Sequence, residues 1–284
     1  MLNIFKYGPP QKMVKAMLWF SWPIIKAAKI LSPYPPFKWI INPFFSHPGN
    51  EVTVVPINEA VIPPESLVLP RRVVERFVSQ VKDIFILDKC ICRDKEGCTA
   101  YPHDIGCMGL GEPVRRIHPS HGRRVSGEEA LEHVRKAAKA GLVANVAHTW
   151  IDPVAFGLTN FRKLMFICYC CDCCCIYRKY LKKRGPNLDT AYQGLPGISI
   201  DVDPQKCTGC GECVEHCFVA SMSLVEGVAS PGDQCRGCGR CVEICPEGAL
   251  TLSLENEEAL YEQLMDYVNG VSDIMAGSKG HAIP

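Results

Sequence analysis

Residues 207–245 carry one cysteine pattern twice: Cys207, Cys210, Cys213, Cys217, then Cys235, Cys238, Cys241, Cys245. Each run reads C-x2-C-x2-C-x3-C, and the second ends in Cys245-Pro246. Three thiolates spaced two residues apart suit one face of a cubane iron–sulfur cluster. The fourth, on the following turn, can reach a different cluster. Structural zinc usually shows paired C-x2-C units instead of triplets.

The runs belong to an internal repeat. A shift of 28 positions places Cys207 on Cys235 and Cys217 on Cys245, and also pairs Gly209 with Gly237, Gly211 with Gly239, Val214 with Val242, Glu215 with Glu243 and Leu224 with Leu252. Glycines between the ligands let the backbone turn tightly toward sulfur. Ile198-Ser-Ile-Asp201 and Leu250-Thr-Leu-Ser-Leu254 alternate apolar and polar residues, as half-buried strands do. On these motifs, residues 198 to 254, about a fifth of the chain, resemble a bacterial two-[4Fe–4S] ferredoxin. The resemblance implies that the fourth cysteine of each run binds the other cluster. Cys207, Cys210, Cys213 and Cys245 would then hold one [4Fe–4S] cluster, and Cys235, Cys238, Cys241 and Cys217 the second. Phe218 stands where that family usually has proline, so the turn at the second cluster is shielded but not fixed by a ring.

Eighteen cysteines in 284 residues are too many for an ordinary intracellular chain without metal. A secreted disulfide scaffold would be short and led by a signal peptide. The opening Met1-Leu-Asn-Ile-Phe-Lys6 lacks that layout. Many thiols in a reducing compartment point to metal. A cytoplasmic protein of anaerobic metabolism is the expectation, because exposed cubanes tolerate oxygen poorly.

Ten further cysteines lie upstream: Cys90, Cys92, Cys98 and Cys107, then Cys168, Cys170, Cys171, Cys173, Cys174 and Cys175. Neighbouring thiols favour a soft metal. In Cys90-Ile-Cys92, an extended chain would point both sulfurs to one side. Both groups follow apolar segments, Ile84-Phe-Ile-Leu87 and Leu164-Met-Phe-Ile167, so two loops from neighbouring elements can face each other. Three readings compete: one or two additional Fe–S clusters, a structural zinc or free-thiol redox site, and spare inert thiols. The softness rule favours the first, without assigning ligands one by one. The pattern C-x-C-R…C…Y-P-x-D-x-G-C, then C-x-C-C-x-C-C-C, resembles an uncharacterised group of iron–sulfur proteins fused to ferredoxin domains, over roughly residues 51–185. That likeness implies no particular activity. Arg93, and the basic run Arg178 to Arg184, carry charge that offsets a cluster or simply faces solvent. His103, His118 and His121 are left out of the ligand set. Asp172 is suited to shaping its own turn.

The net charge of +1 hides an uneven distribution. Residues 1–50 hold six lysines, no Asp or Glu, and three of the four tryptophans. The longest lysine-free apolar stretch there is ten residues, half of the roughly twenty needed to span a bilayer. Lys12, Lys15, Lys26 and Lys29 fall within roughly a 100° arc of one helix. Lysine with Trp and Phe fits a membrane-interface segment. However, Trp19 and Trp22 share the lysine arc, and Pro23 interrupts the phase. The other reading is an arm packed on the protein's own core or on a partner subunit.

Residues 32–70 are proline-rich and read as an extended wrap without helix. Glu51 to Pro56 reads as a strand, and Arg71 to Asp83 as a helix burying Val73, Val74, Phe77 and Val81. Ser126-Gly-Glu-Glu129 is a capping box opening a helix to about Ala140, with Gly141 as its stop. Glu255 to Val268 reads as an acidic C-terminal helix. The expected class is α+β, with a pseudo-symmetric dicluster ferredoxin domain preceded by a mostly helical, cysteine-rich domain. The expected units are 1–50, 51–190, 196–254 and 255–284. Gly106 to Gly111 reads G-x-x-G-x-G, which is neither a dinucleotide fingerprint nor a P-loop.

The functional expectation is an electron-transfer protein that carries single low-potential electrons to or from larger donor and acceptor oxidoreductases. Peripheral membrane contact would run through residues 1–45, and nothing points to nucleic acid. Two rivals differ in class. A reductase would hold a catalytic cluster in its front half, with three thiolates and an open position. A structural adaptor would hold no metal beyond the ferredoxin clusters.

Overall fold

The structure, a computed structural model, describes residues 6–45, 50–57, 70–176, 192–254 and 256–275. The basic run Arg178 to Arg184 and part of the proline-rich stretch lie outside these residues.

The cysteine-rich half is organised by a sheet, which corrects the expectation of a mostly helical domain. Its strands are β1 (Asn50–Val55), β2 (Ile84–Leu87), β3 (Met108–Leu110), β4 (Gly122–Val125), β5 (Val143–Thr149), β6 (Met165–Cys170) and β7 (Tyr192–Gly194). They run in the order β4-β2-β3-β6-β5-β1-β7. All neighbours are antiparallel except β1 and β7. The helical expectation failed for a physical reason. Every residue of β5 is buried, so both of its faces are covered and the alternation that marks a half-exposed strand is missing. Strands β3 and β4 are only three and four residues long.

One face of this sheet carries helices. Helices α3 (Pro70–Ser79) and α5 (Gly127–Lys139) bury Val73, Val74, Phe77, Ala130 and Val134 against Ile84, Met108, Val146 and Ile167. The capping box at Ser126 is formed in both directions: its hydroxyl accepts from Glu129 N at 3.2 Å, and the Glu129 carboxylate accepts from Ser126 N at 2.9 Å. The C-terminal helix, here α9 (Glu257–Val271), closes the same layer through Leu260, Leu264 and Val268. Its residue Glu258 takes a two-pronged ion pair from Arg76, whose guanidinium lies over the Tyr261 ring.

Side-chain alternation sends the other residues of the same strands to the opposite face. There Val52, Val54, Val143 and Ala147 meet Ile200, Phe218, Leu250 and Leu252 of the repeat segment. Phe85, Leu87, Phe156 and Phe166 form an adjoining cluster. Cys168 and Cys170 also point to this side, because Tyr169 between them points to the helices. The glycines from 106 to 111 serve packing here: a Cβ on Gly106 would fall 2.0 Å from the Leu87 carbonyl oxygen.

The repeat segment comprises β8 (Ile198–Val202), α7 (Glu212–Glu215), β9 (Met222–Val225), β10 (Val228–Pro231), α8 (Arg240–Glu243) and β11 (Leu250–Leu254). It pairs β8 with β11 and β9 with β10, both antiparallel. The molecule is mixed helix and strand, as the α+β expectation requires.

At the front, α1 (Gln11–Leu31) continues through Pro23. A second helix, α2 (Phe37–Phe45), corrects the extended reading of residues 32–70. Pro36 immediately precedes it, where a missing N–H does no harm, and no further proline follows until Pro43. Helix α1 docks on α4 (Ile91–Glu96): Trp22 is buried and donates to Glu96 at 2.6 Å, Lys15 pairs with Asp94 at 2.9 Å, and Lys26 pairs with Glu96. Lys29 donates to the Ile176 carbonyl at 3.2 Å. A cavity of about 340 Å³ remains between α1 and this loop, lined by Val14, Leu18, Leu87, Ile91, Asp94 and His121. The opposite side of the arm exposes Met13, Phe20, Ile24, Trp39 and Ile40. No helix among the described residues is long and apolar enough to cross a membrane.

Candidate metal centres

The two cysteine runs meet crosswise. Cys207, Cys210 and Cys213 line a cavity that Cys245 completes. Cys235, Cys238 and Cys241 line a second one, completed by Cys217. Short loops achieve this because glycines take backbone angles other residues avoid. Gly209 and Gly237 sit at φ 70° and 61°, and a Cβ on Gly237 would lie 2.5 Å from Ile198 Cγ2. Phe218 is fully buried and lines the second cavity beside Cys217, so the residue that departs from the family pattern acts as an apolar wall.

Both cavities fit an iron–sulfur cluster by the chemistry of their walls. Cys217 Sγ accepts from Ser221 N at 3.2 Å, and Cys245 Sγ accepts from Ala249 N at 3.3 Å, the same four-residue step in each half. Cys207 Sγ accepts from Ala229 N at 3.4 Å. Such N–H groups stabilise thiolate charge. Burial pushes the Cys238 thiol up to about 12, so this sulfur ionises only opposite a cation.

The ten upstream cysteines divide into two groups. In the first, the sulfurs of Cys98, Cys171, Cys173 and Cys174 all lie within 4.8 Å of one another. Cys98 and Cys173 are 3.5 Å apart. The second group is looser and pairwise. Cys90 is in hydrogen-bonding reach of Cys107 and Cys92, Cys107 of Cys168, and Cys170 of Cys175, while Cys92 lies near Cys175. Strand register explains the encounter: Met108 pairs with Ile167, which sets Cys107 beside Cys168 just past the end of the ladder. The Cys90-Ile-Cys92 pair departs from expectation. Cys90 is extended, but Cys92 already lies in the first turn of α4, so the pair is held by a helix start and not by a strand. The donor thiols Cys107 and Cys92 hold Cys90 well below the usual thiol range. In Cys107, the Cys168 and Cys90 contacts together with burial push the other way.

Arg93 lies between the groups and is fully buried. Its guanidinium donates to the carbonyls of Pro102, Tyr169 and Ile105 at 2.8, 2.8 and 2.5 Å. Among the described residues no carboxylate pairs with it. Against the cost of burial, Cys90, Cys171, Cys107 and Cys170 hold its pKa above the ordinary value. A buried cation without a carboxylate calls for other negative charge, and the thiols are the groups in place to supply it. The histidines left out of the ligand set bond to oxygen: His103 to Cys98 O and His121 to Pro9 O, while His118 bonds Ser120.

The sequence did not point to the junction between the two cysteine regions. Asp172, expected to shape its own turn, accepts from His216 Nδ1 at 2.8 Å and stands 3.7 Å from Arg240. Arg240 also donates to the Gly141 carbonyl at 2.7 Å and to the Tyr101 hydroxyl. His216 immediately precedes Cys217, and Arg240 immediately precedes Cys241. Their signal was a break in the repeat: the 28-residue shift sets His216 on Ile244 and Glu212 on Arg240. Cys170 and Cys175 pack in the same apolar cluster as Cys213, Cys217, Cys238 and Cys241.

Residues 199–246 match the family described as the 4Fe-4S dicluster domain. A ferredoxin, Ferredoxin-2 of Desulfomicrobium norvegicum, is 51% identical over 35 residues, which is 12% of this chain and 59% of that protein. The chain thus spans less than two thirds of this relative. No solved structure matches the chain. The repeat segment is therefore similar to ferredoxin-type 4Fe-4S proteins, and the cysteine-rich half has no named relative among these matches.

Proposed function

We propose that this protein is an iron–sulfur electron carrier in which the front half adds at least one further centre to a two-cluster ferredoxin segment. The crosswise meeting of the runs carries the reading: Cys207, Cys210, Cys213 and Cys245 hold one [4Fe–4S] cluster, and Cys235, Cys238, Cys241 and Cys217 the other. Bound clusters supply one-electron chemistry. The chain supplies sulfur, backbone N–H donors and the buried walls of Phe218 and Leu250. Looser spacing makes Cys90, Cys92, Cys107, Cys168, Cys170 and Cys175 the pool from which a further Fe–S cluster draws its ligands. Its apolar contact with the ferredoxin cysteines supports exchange of electrons between the regions.

The partners proposed are donor and acceptor oxidoreductases, met in the cytoplasm. Peripheral contact with the inner membrane face is proposed through α1 and α2. Supporting it, Phe20 and Trp39 are 69% and 74% exposed, while Lys15, Lys26 and Lys29 are turned to intramolecular partners. The contact would therefore be mainly apolar.

Anaerobic purification with iron and sulfide counts, then EPR of the reduced protein, tests the carrier reading. Iron well above about eight per chain, the content of two cubanes, with signals from two neighbouring clusters, is the expected result. Iron at eight or below removes the additional Fe–S cluster, and iron absent altogether removes the carrier. For the arm, sedimentation with anionic vesicles should fall several-fold in a Phe20→Ser, Ile24→Ser variant. Unchanged binding removes the membrane contact.

A further inference from the structure

We infer that Cys98, Cys171, Cys173 and Cys174 form a mononuclear tetrathiolate site, taking one tetrahedral thiophilic cation, Zn²⁺ or a single Fe²⁺, and not a cubane. The spacing decides this. All four sulfurs lie within 4.8 Å of one another, and a tetrahedral ion with metal–sulfur bonds of about 2.3 Å sets its sulfurs about 3.8 Å apart. A cubane gives each thiolate its own iron at a separate corner, so the sulfurs stand farther apart.

The same molecule provides the yardstick. Neither ferredoxin quartet draws even three of its sulfurs within that limit, and neither does the Cys90–Cys175 group. Among the described residues, Cys98, Cys171, Cys173 and Cys174 are the one set that does. This comparison rests on reading the ferredoxin quartets as cubane sites.

Local structure supports a closed metal site. The Cys174 amide donates to Cys171 Sγ at 3.3 Å, and the amides of Tyr101 and Ala100 donate to Cys98. Two of the four sulfurs, those of Cys171 and Cys98, thus lie in turns whose own N–H groups stabilise a thiolate. Four thiolates around a divalent ion leave two negative charges, and Arg93 is the buried cation beside Cys171. All four positions are filled by protein sulfur, as in closed structural sites. The ion would join the connection after α4, which carries Cys98, to the turn that follows β6, which carries the other three. The turn so fixed is the one whose Asp172 reaches His216 and Arg240, so the site sets the seat of the ferredoxin segment.

Metal analysis and X-ray absorption on the anaerobically purified full chain test this. The expected wild type holds about one zinc per chain in a four-sulfur shell, or one iron in excess of sulfide. A Cys98→Ser, Cys173→Ser double variant should lose that one ion and keep sulfide and the ferredoxin EPR signals. Loss of about four irons and four sulfides would overturn the proposal in favour of a cubane. No change in any metal would overturn it as well. If the double variant fails to fold, the wild type decides: iron equal to sulfide with no zinc overturns the proposal. Absent ferredoxin signals in wild type would instead sink the carrier reading, and a zinc edge with four sulfur neighbours would still stand.

Discussion

The two cysteine regions present sulfur by opposite means. In the repeat segment, the cysteines sit in glycine-turned loops and in the two short helices α7 and α8, and each quartet is complete within about forty residues. In the front half, the cysteines sit at the ends of strands and beside a short helix, and Cys98 meets Cys173 from 75 positions away. The first region has only two-stranded pairs and very short helices of its own, and its buried side chains share one cluster with the neighbouring sheet. The second has a core of its own, with Val74, Phe77, Met108, Val134, Val146 and Ile167 fully buried. A loop-based site is fixed by spacing and, with so little regular structure around it, is expected to lean on bound metal for its order. A strand-end site is fixed by register and can exist before metal arrives.

Removing the metals should separate the regions most sharply. After chelation under mild oxidation, hydrogen exchange is expected to free the amides of residues 203–249 while β5 and β6 stay protected. Equal exchange in both regions would break the contrast.

Arg93→Met should destabilise the metal-loaded protein by about 3 kcal/mol, as loss of one partner from a buried charge cluster does. The metal-free protein, in which Cys107, Cys170 and Cys171 are pushed toward the protonated form, should lose less. Urea unfolding of both forms reads the difference. An equal loss in both would mean that Arg93 serves only its carbonyl partners.

Asp172→Asn removes the charge between the regions and should cost about 1 kcal/mol, since the His216 side of the pair is partly exposed. The more telling readout is the potential of the quartet containing Cys217, which should shift while that of the Cys207 quartet stays put. A uniform shift in both would mean that the junction does not discriminate between them.

The smallest effect expected is a control. Ser126→Ala removes the cap of α5 and should lower stability by about 1 kcal/mol, with iron, zinc and sulfide counts unchanged. A metal loss here would show that the helical layer, and not the strand ends, holds the thiols in place.

Much of the fold could be read in the sequence where a local signal existed. The capping box at Ser126, the buried face of Val73, Val74, Phe77 and Val81, and the strands at 198 and 250 follow from spacing alone. The sheet did not show itself, because β5 is covered on both faces and β3 and β4 are too short to display a period. Helix α2 was hidden by the prolines around it.

The sequence by itself determined the two cysteine runs, whose members line two cavities in the structure. Each triplet is encoded by the close spacing of its cysteines and glycines, and the ferredoxin resemblance supplied the exchange of Cys217 and Cys245 between the runs. Only the tertiary structure decided how the other ten cysteines divide. Pairing of Met108 with Ile167 brings the two groups together. The alternation of β6 sends Cys168 and Cys170 to the ferredoxin side, and the turn after it gathers Cys171, Cys173 and Cys174 around Cys98. Which thiols share a centre depends on strand order and register, and no spacing along the chain records either.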